Sequence, residues 1–146
     1  MARVTQSVLV MHSARDMFDL VDGVEHYPEF LPWCGGTSVV SRTEVITVAT
    51  IVIDYHVVKQ SFTTRNTKEA PVSMDIALVD GPFRHLHGHW RFSPLSPEAC
   101  KIDFDIEYEF SSRLLEKLVG PLFNKIATTM VDAFVARADR VHPPAA

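Results

Sequence analysis

The stretch Cys100-Lys101-Ile102-Asp103-Phe104-Asp105-Ile106-Glu107-Tyr108-Glu109-Phe110 alternates without a break. Its even-numbered residues are apolar and its odd-numbered ones charged, so as a strand it carries one buried face and one acidic, wet face. Directly after it the period changes. From Ser112 to Val141, Leu115, Leu118, Val119, Leu122, Ile126, Met130 and Phe134 recur at three and four, the spacing of a helix with one apolar side. Such a helix is about 45 Å long at 1.5 Å per residue, enough to lie across a whole sheet. A one-faced sheet followed by a helix able to cover it sets the fold class: α+β, a curved antiparallel sheet of about seven strands on a long C-terminal helix.

Working backwards, Phe83 to Phe92 repeats the pattern, with Leu86, Gly88, Trp90 and Phe92 on one face and His85, His87, His89 and Arg91 on the other. A turn within Ser93-Pro94-Leu95-Ser96-Pro97 sets Arg91 beside Lys101, and His89, His87 and His85 beside Asp103, Asp105 and Glu107. Four earlier strands are expected at Val39–Arg42, Glu44–Asp54, Val57–Thr67 and Val72–Val79. Breakers separate them at Arg42-Thr43-Glu44, Asp54-Tyr55, Glu69-Ala70-Pro71 and Asp80-Gly81-Pro82, and short connections of this kind argue an antiparallel meander. The chain opens on a strand over Arg3–Met11. A short helix follows, capped by Ser13 with Asp16 three residues on, apolar at Met17, Phe18, Leu20 and Val21, and ended by Asp22-Gly23. A second short helix is expected over Val24–Phe30, closed by Pro32. Pro28 to Gly36 then forms an aromatic elbow suited to a lid, and Gly120-Pro121 is expected to kink or restart the long helix. His142-Pro143-Pro144-Ala145-Ala146 reads as a frayed tail.

The length of 146 residues fits one domain. With 47% apolar and 22% charged residues, a disordered or collagen-like chain is excluded. A net charge of −4 argues against a DNA-binding domain, leaving only a local basic patch of Lys59, Arg65 and Lys68 for an anionic partner. No stretch approaches the roughly 20 apolar residues of a membrane-spanning helix, and the first residues lack a signal-peptide pattern. The chain therefore reads as cytoplasmic, with Cys34 and Cys100 as free thiols.

The search for catalytic chemistry is mostly negative. Gly35-Gly36 has no phosphate-loop partner motif, and no G-x-S-x-G elbow occurs. Cys34 with His12 or His26 is not specified as a nucleophile pair by any spacing. The histidines at 85, 87 and 89 sit about 7 Å apart along one strand face, too far for easy joint metal ligation, and complementary cross-strand charge accounts for them better. Asp54, Asp75 and Asp80 read as ordinary turn or surface acids. No catalytic residue, metal or cofactor is expected.

An apolar interior is the remaining candidate. Phe62, Met74, Leu86, Trp90, Phe104 and Tyr108 crowd the sheet's buried face, while Gly88 and Ala49 leave gaps in it. Leu118, Leu122, Ile126 and Met130 face them from the helix, and Phe30, Leu31 and Trp33 of the elbow complete the candidate ligand-binding set. Unbranched Met74 and Met130 suit a lining that repacks.

The chain resembles a known family at Tyr27-Pro28-Glu29-Phe30-Leu31-Pro32-Trp33-Cys34, Phe62-Thr63-Thr64-Arg65-Asn66, Leu78-Val79-Asp80-Gly81-Pro82-Phe83 and Trp90-Arg91-Phe92-Ser93-Pro94-Leu95. These look like the signatures of the START-like coenzyme-Q-binding proteins, in the bacterial branch of the ribosome-association toxin, labelled oligoketide cyclase/lipid transport protein. The similarity runs over essentially the whole chain, a single START-like domain over 1–146. It implies a helix-grip fold: a strand, two short helices, six more antiparallel strands and a long C-terminal helix. It further implies a tunnel for a hydrophobic ligand, ubiquinone or a related lipid, without catalytic residues. Two other roles come with it: attachment to the large ribosomal subunit, blocking its joining to the small one, and a cyclase activity carried by distant relatives. A quinone carrier also implies transient contact with the inner membrane.

Overall fold

Seven strands form one antiparallel sheet: β1 (Ala2–Val10), β2 (Cys34–Arg42), β3 (Ile46–Tyr55), β4 (Val58–Glu69), β5 (Ser73–Asp80), β6 (Phe83–Ser96) and β7 (Ala99–Phe110). Their order across the sheet is β1-β7-β6-β5-β4-β3-β2. The structure, a computed structural model, describes residues 1–143, so 144–146 of the expected tail lie outside the described residues. From β2 to β7 each strand pairs with its sequence neighbour, and β1 returns to pair with β7. Consecutive strands β1 and β2 therefore lie at opposite edges, and the two short helices carry the chain between them.

The alternation that decided the fold class is realised in β7, where Cys100, Ile102, Phe104, Ile106, Tyr108 and Phe110 are all buried. The first helix, α1 (Ala14–Asp22), starts where expected: Ser13 Oγ accepts from the Asp16 amide at 3.0 Å, satisfying an otherwise orphaned donor. The second short helix is a 3-10 turn over Val24–Glu29 with Pro28 inside it. The long helix α2 (Arg113–Val141) begins at Ser112, whose Oγ accepts from the Leu115 amide at 3.1 Å. Buried His12, just past β1, meets Asp139 of α2 at 2.7 Å and ties the helix end to the sheet edge.

Several expectations need correcting. β6 does not stop at the Ser93–Pro97 breakers but runs to Ser96, with the turn at Pro97-Glu98. Its register with β5 ends at Ser73↔Arg91, so Pro94 sits where one side of the strand has no partner, a place a strand tolerates proline. The longer hairpin slides the register by two residues, pairing Arg91 with Asp103, His89 with Asp105 and His87 with Glu107. A slip of two keeps every side chain on its face, which is why the buried set survives. Two histidine partners change: His89 Nδ1 lies 2.6 Å and His87 Nε2 3.9 Å from Asp75 of β5, while His85 keeps the expected Glu107 at 3.7 Å.

Strand β2 begins at Cys34, inside the elbow. A bulge falls there, at Gly35, where a Cβ would stand 2.6 Å from that of Asp54. Gly120-Pro121 neither breaks nor restarts α2, which is continuous for 29 residues. Pro121 is on the exposed side, where solvent takes up the carbonyl it leaves free, and Val119 and Phe123 anchor the turn on the sheet. The basic patch also fails. Lys59 and Arg65 are exposed, but Lys68 has the opposite parity on β4 and turns inward. Its side chain is 4% exposed, and its Nζ lies 3.1 Å from Asp22 Oδ2.

Candidate functional site

Between the sheet and α2 lies an enclosed cavity of about 70 Å³. Alternate residues of the strands supply its floor: Phe62 from β4, Met74 from β5, Leu86 and Trp90 from β6, and Phe104 from β7. Helix α2 supplies the roof through Phe123, Ile126, Ala127, Met130 and Phe134, while Val21, Val24, Tyr27 and Trp33 close the end. The rings pack edge to face or tilted: Trp90 lies 4.3 Å from Phe104 and 5.5 Å from Phe134, and Phe134 lies 5.3 Å from Tyr27. Of the two gaps expected in the sheet, Ala49 opens into the cavity. The space above Gly88 is taken by its cross-strand partner Ile76, whose side chain would meet a Cβ at 3.6 Å.

Polar groups in the lining are few and mostly spoken for. Tyr27 donates its hydroxyl to the Val21 carbonyl, and burial pushes its pKa well above the ordinary tyrosine range. Thr64 donates to Asn66 Oδ1 at 3.0 Å, which places one amide-hydroxyl pair at an otherwise apolar wall. Among the described residues, no carboxylate, histidine, lysine or thiol lines the cavity. Cys34 and Cys100 are both buried free thiols, with pKa values raised by burial.

Outside this cavity an apolar groove of about 390 Å³ runs between the elbow and α2. Leu31, Pro32, Trp33, Leu122 and Ile126 form its walls, with Tyr55, Lys125 and Thr129 at its rim. Trp33 and Ile126 line both spaces, so these two side chains are the partition between groove and interior. The elbow is thus a wall as well as a cover, with Leu31 and Trp33 buried.

The expected lining residues distribute unequally. Trp33, Phe62, Met74, Leu86, Trp90, Phe104, Ile126 and Met130 come together at the inner cavity, while Leu31 and Leu122 line the outer groove. Three are misplaced. Leu118 is 61% exposed, because α2 carries two apolar stripes and the one through Val119, Phe123 and Ala127 faces the sheet. Tyr108 is core packing, 4.7 Å from Phe123, and does not reach the cavity. Phe30 packs against Phe134 at 5.3 Å with the Arg137 guanidinium 5.1 Å over its ring, and lines a separate surface groove with Pro28 and Arg140. Sequence reasoning left out the end wall of Val21, Val24 and Tyr27, the helix residues Phe123, Ala127 and Phe134, and the polar pair Thr64 and Asn66. Parity on β4, counted from Phe62, marks the last two as inward.

With the geometry in place, comparison with known proteins is decisive at residues 10–135, which match the family of polyketide cyclases/dehydrases and lipid transport proteins. The chain belongs to this START-like family. It is 43% identical over 142 residues to the ribosome association toxin RatA of Vibrio cholerae, covering 97% of this chain and 99% of the relative. It is 31% identical over 142 residues to the mitochondrial coenzyme Q-binding protein COQ10 homolog B of Xenopus laevis, covering 94% of this chain and 58% of that one. The Zhui aromatase/cyclase of Streptomyces superposes with a TM-score of 0.78 at 16% identity, over 97% of this chain and 96% of that one. A START superfamily protein of Mycobacterium smegmatis superposes with a TM-score of 0.75 at 19% identity, over 95% and 98%. At these identities the structural likeness speaks to the fold alone, which is the helix-grip fold.

Proposed function

We propose that this protein binds a hydrophobic ligand, a long-chain quinone such as ubiquinone or a related lipid, between sheet and α2 and does not transform it. The observation that carries this reading is the composition of the cavity: aromatic and aliphatic walls, one Thr64–Asn66 pair, a Tyr27 hydroxyl already given to the Val21 carbonyl, and no carboxylate, histidine, lysine or thiol among the described lining residues. Chemistry of the cyclase kind needs a positioned proton donor or acceptor, whereas apolar walls with a few polar groups suit binding and orientation. The coenzyme Q-binding relative supports the quinone. In this reading the ring occupies the interior and the chain passes Trp33 and Ile126 into the outer groove.

Both tryptophans of the chain line the cavity, so a bound quinone quenches their fluorescence. Titrating folded protein with ubiquinone should give saturable quenching, and its absence would overturn the reading. A second reading, association with the large ribosomal subunit, is favoured by the RatA relatives at 39–43% identity. Gradient sedimentation separates the two: loss of intact ribosomes on adding the protein, without quenching by quinone, selects the second.

A further inference from the structure

We propose that Thr64 and Asn66 form the head-group subsite of the cavity, with the Asn66 amide donating to a neutral carbonyl oxygen of the ligand. This rests on the reading that a hydrophobic ligand enters the interior, and it names the polar atom such a ligand must carry. Both side chains belong to β4, where Phe62, Thr64 and Asn66 share the buried face. Thr64 and Asn66 are 4% and 6% exposed, and both line the cavity. Asparagine is disfavoured within a strand, and a buried polar group costs stability unless it is hydrogen-bonded. The pair is only partly satisfied. It holds three donor protons, two on the amide and one on the hydroxyl. The bond from Thr64 Oγ1 to Asn66 Oδ1, at 3.0 Å, uses the hydroxyl proton and leaves both amide protons without an acceptor among the described residues.

The neighbouring polar groups are committed to one another. Asn66 pairs with Thr47 of β3 and Ile76 of β5. Thr47 gives its hydroxyl to Asp22 Oδ1 at 3.0 Å, and Lys68 Nζ lies 3.1 Å from Asp22 Oδ2. Opposite Thr64 on β3 stands Ala49, whose methyl group leaves room beside the pair. Charge then selects the acceptor. A carboxylate or phosphate brought into this interior would need a cation to pair with, and none lines the cavity. Lys68, two residues along the same strand face, is already held by Asp22. A neutral carbonyl needs only a donor, so a quinone, ketone or ester head fits where a fatty acid does not. The indole N–H groups of Trp33 and Trp90 are other donors of the lining. The pair differs from them in that Thr64 holds the Asn66 amide at its oxygen, so the spare protons are oriented before the ligand arrives.

The test joins calorimetric affinities to infrared spectroscopy of the bound carbonyl. The probes are decylubiquinone, decylbenzene, which keeps ring and tail but has no carbonyl, and dodecanoate, which brings a charge. Wild-type protein should bind decylubiquinone at least about tenfold more tightly than either of the others. A carbonyl band of the bound quinone should lie below its position in hexane. Asn66→Leu should bind decylubiquinone about tenfold more weakly, bind decylbenzene no more weakly, and return the band to its hexane position. Thr64→Val, which releases the amide, should lose part of the shift, and Thr64→Ser, which keeps the hydroxyl, should restore it. Circular-dichroism melts check folding. If Asn66→Leu alone unfolds, Thr64→Val with Asn66→Leu removes both polar partners, strands no hydroxyl, and makes the same comparison. Wild-type protein that binds decylubiquinone with an unshifted carbonyl overturns this subsite and leaves the quinone reading standing. So does a shift that survives Asn66→Leu and disappears in Trp90→Phe, or a wild-type preference for dodecanoate. Wild-type protein that binds none of the three probes overturns the cargo and the subsite together.

Discussion

At the scale of single residues, the most consequential position is one whose role its neighbours conceal. Asp22 ends α1, and its carboxylate accepts from Lys68 Nζ at 3.1 Å and from Thr47 Oγ1 at 3.0 Å. Lys68 lies on the inner face of β4 with its side chain 4% exposed, so solvent reaches it poorly when that partner is removed. Asp22→Ala should therefore cost about 3–5 kcal/mol, because it strands a buried charge. Adding Lys68→Met should recover much of the loss, and urea midpoints of the single and double variants measure both. Tyr27 makes a second residue-scale prediction. Its hydroxyl is held protonated by burial, so above about pH 10, where an unfolded tyrosine ionises, the folded state binds more protons than the unfolded one. Stability must then fall as pH rises. Denaturation midpoints across that range should decline, and Tyr27→Phe should flatten part of the decline. Neither role shows in a linear sequence, since Asp22 and Lys68 are 46 residues apart and join only when β4 passes α1.

At the scale of elements, the strands were legible, and the helix face was legible at Ile126 and Met130 but not at Leu118. Alternation in β6 and β7 assigns sides because a strand has only two, and a register slip of two residues leaves them intact. A helix offers a continuum of directions. The stripe through Leu118 and Leu122 and the stripe through Val119 and Phe123 are adjacent, and only contact with the sheet separates a buried face from an exposed one. Phe123 meets Phe83 at 4.9 Å, Tyr108 at 4.7 Å and Phe62 at 6.2 Å. Phe123→Ala should cost about 3–5 kcal/mol, whereas Leu118→Ala should stay within about 0.5 kcal/mol of wild type. Paired denaturant curves check both, and equal losses would return α2 to the face expected from its periodicity.

At the scale of the whole molecule, the site belongs to no single element. Sheet, α2, α1 and the elbow each supply part of one cavity, and small residues decide that space remains. Ala49 is the clearest case, buried on β3 with its methyl group at the cavity wall. Ala49→Leu should fill the interior, keep or raise the melting temperature as cavity filling commonly does, and abolish quenching by ubiquinone. Thermal melts and quinone titrations on the same sample read the two outcomes. Normal quenching in a folded variant would place the ligand elsewhere, in the outer groove or on the surface.

Local pattern alone determined the order of elements, the buried parity of β6 and β7, and the cap at Ser13. Each depends on residues within a few positions of one another, where backbone geometry fixes which side chains share a face. Tertiary structure decided the rest. The stop of β6 at Ser96, the unbroken passage of α2 through Pro121, the burial of Lys68 and the partition at Trp33 and Ile126 depend on contacts between segments far apart in the chain. The cavity volume is the extreme case, being a small difference between the space that seven strands and a helix enclose and the side chains that occupy it. No local pattern carries such a difference, because every element must be in place before it exists.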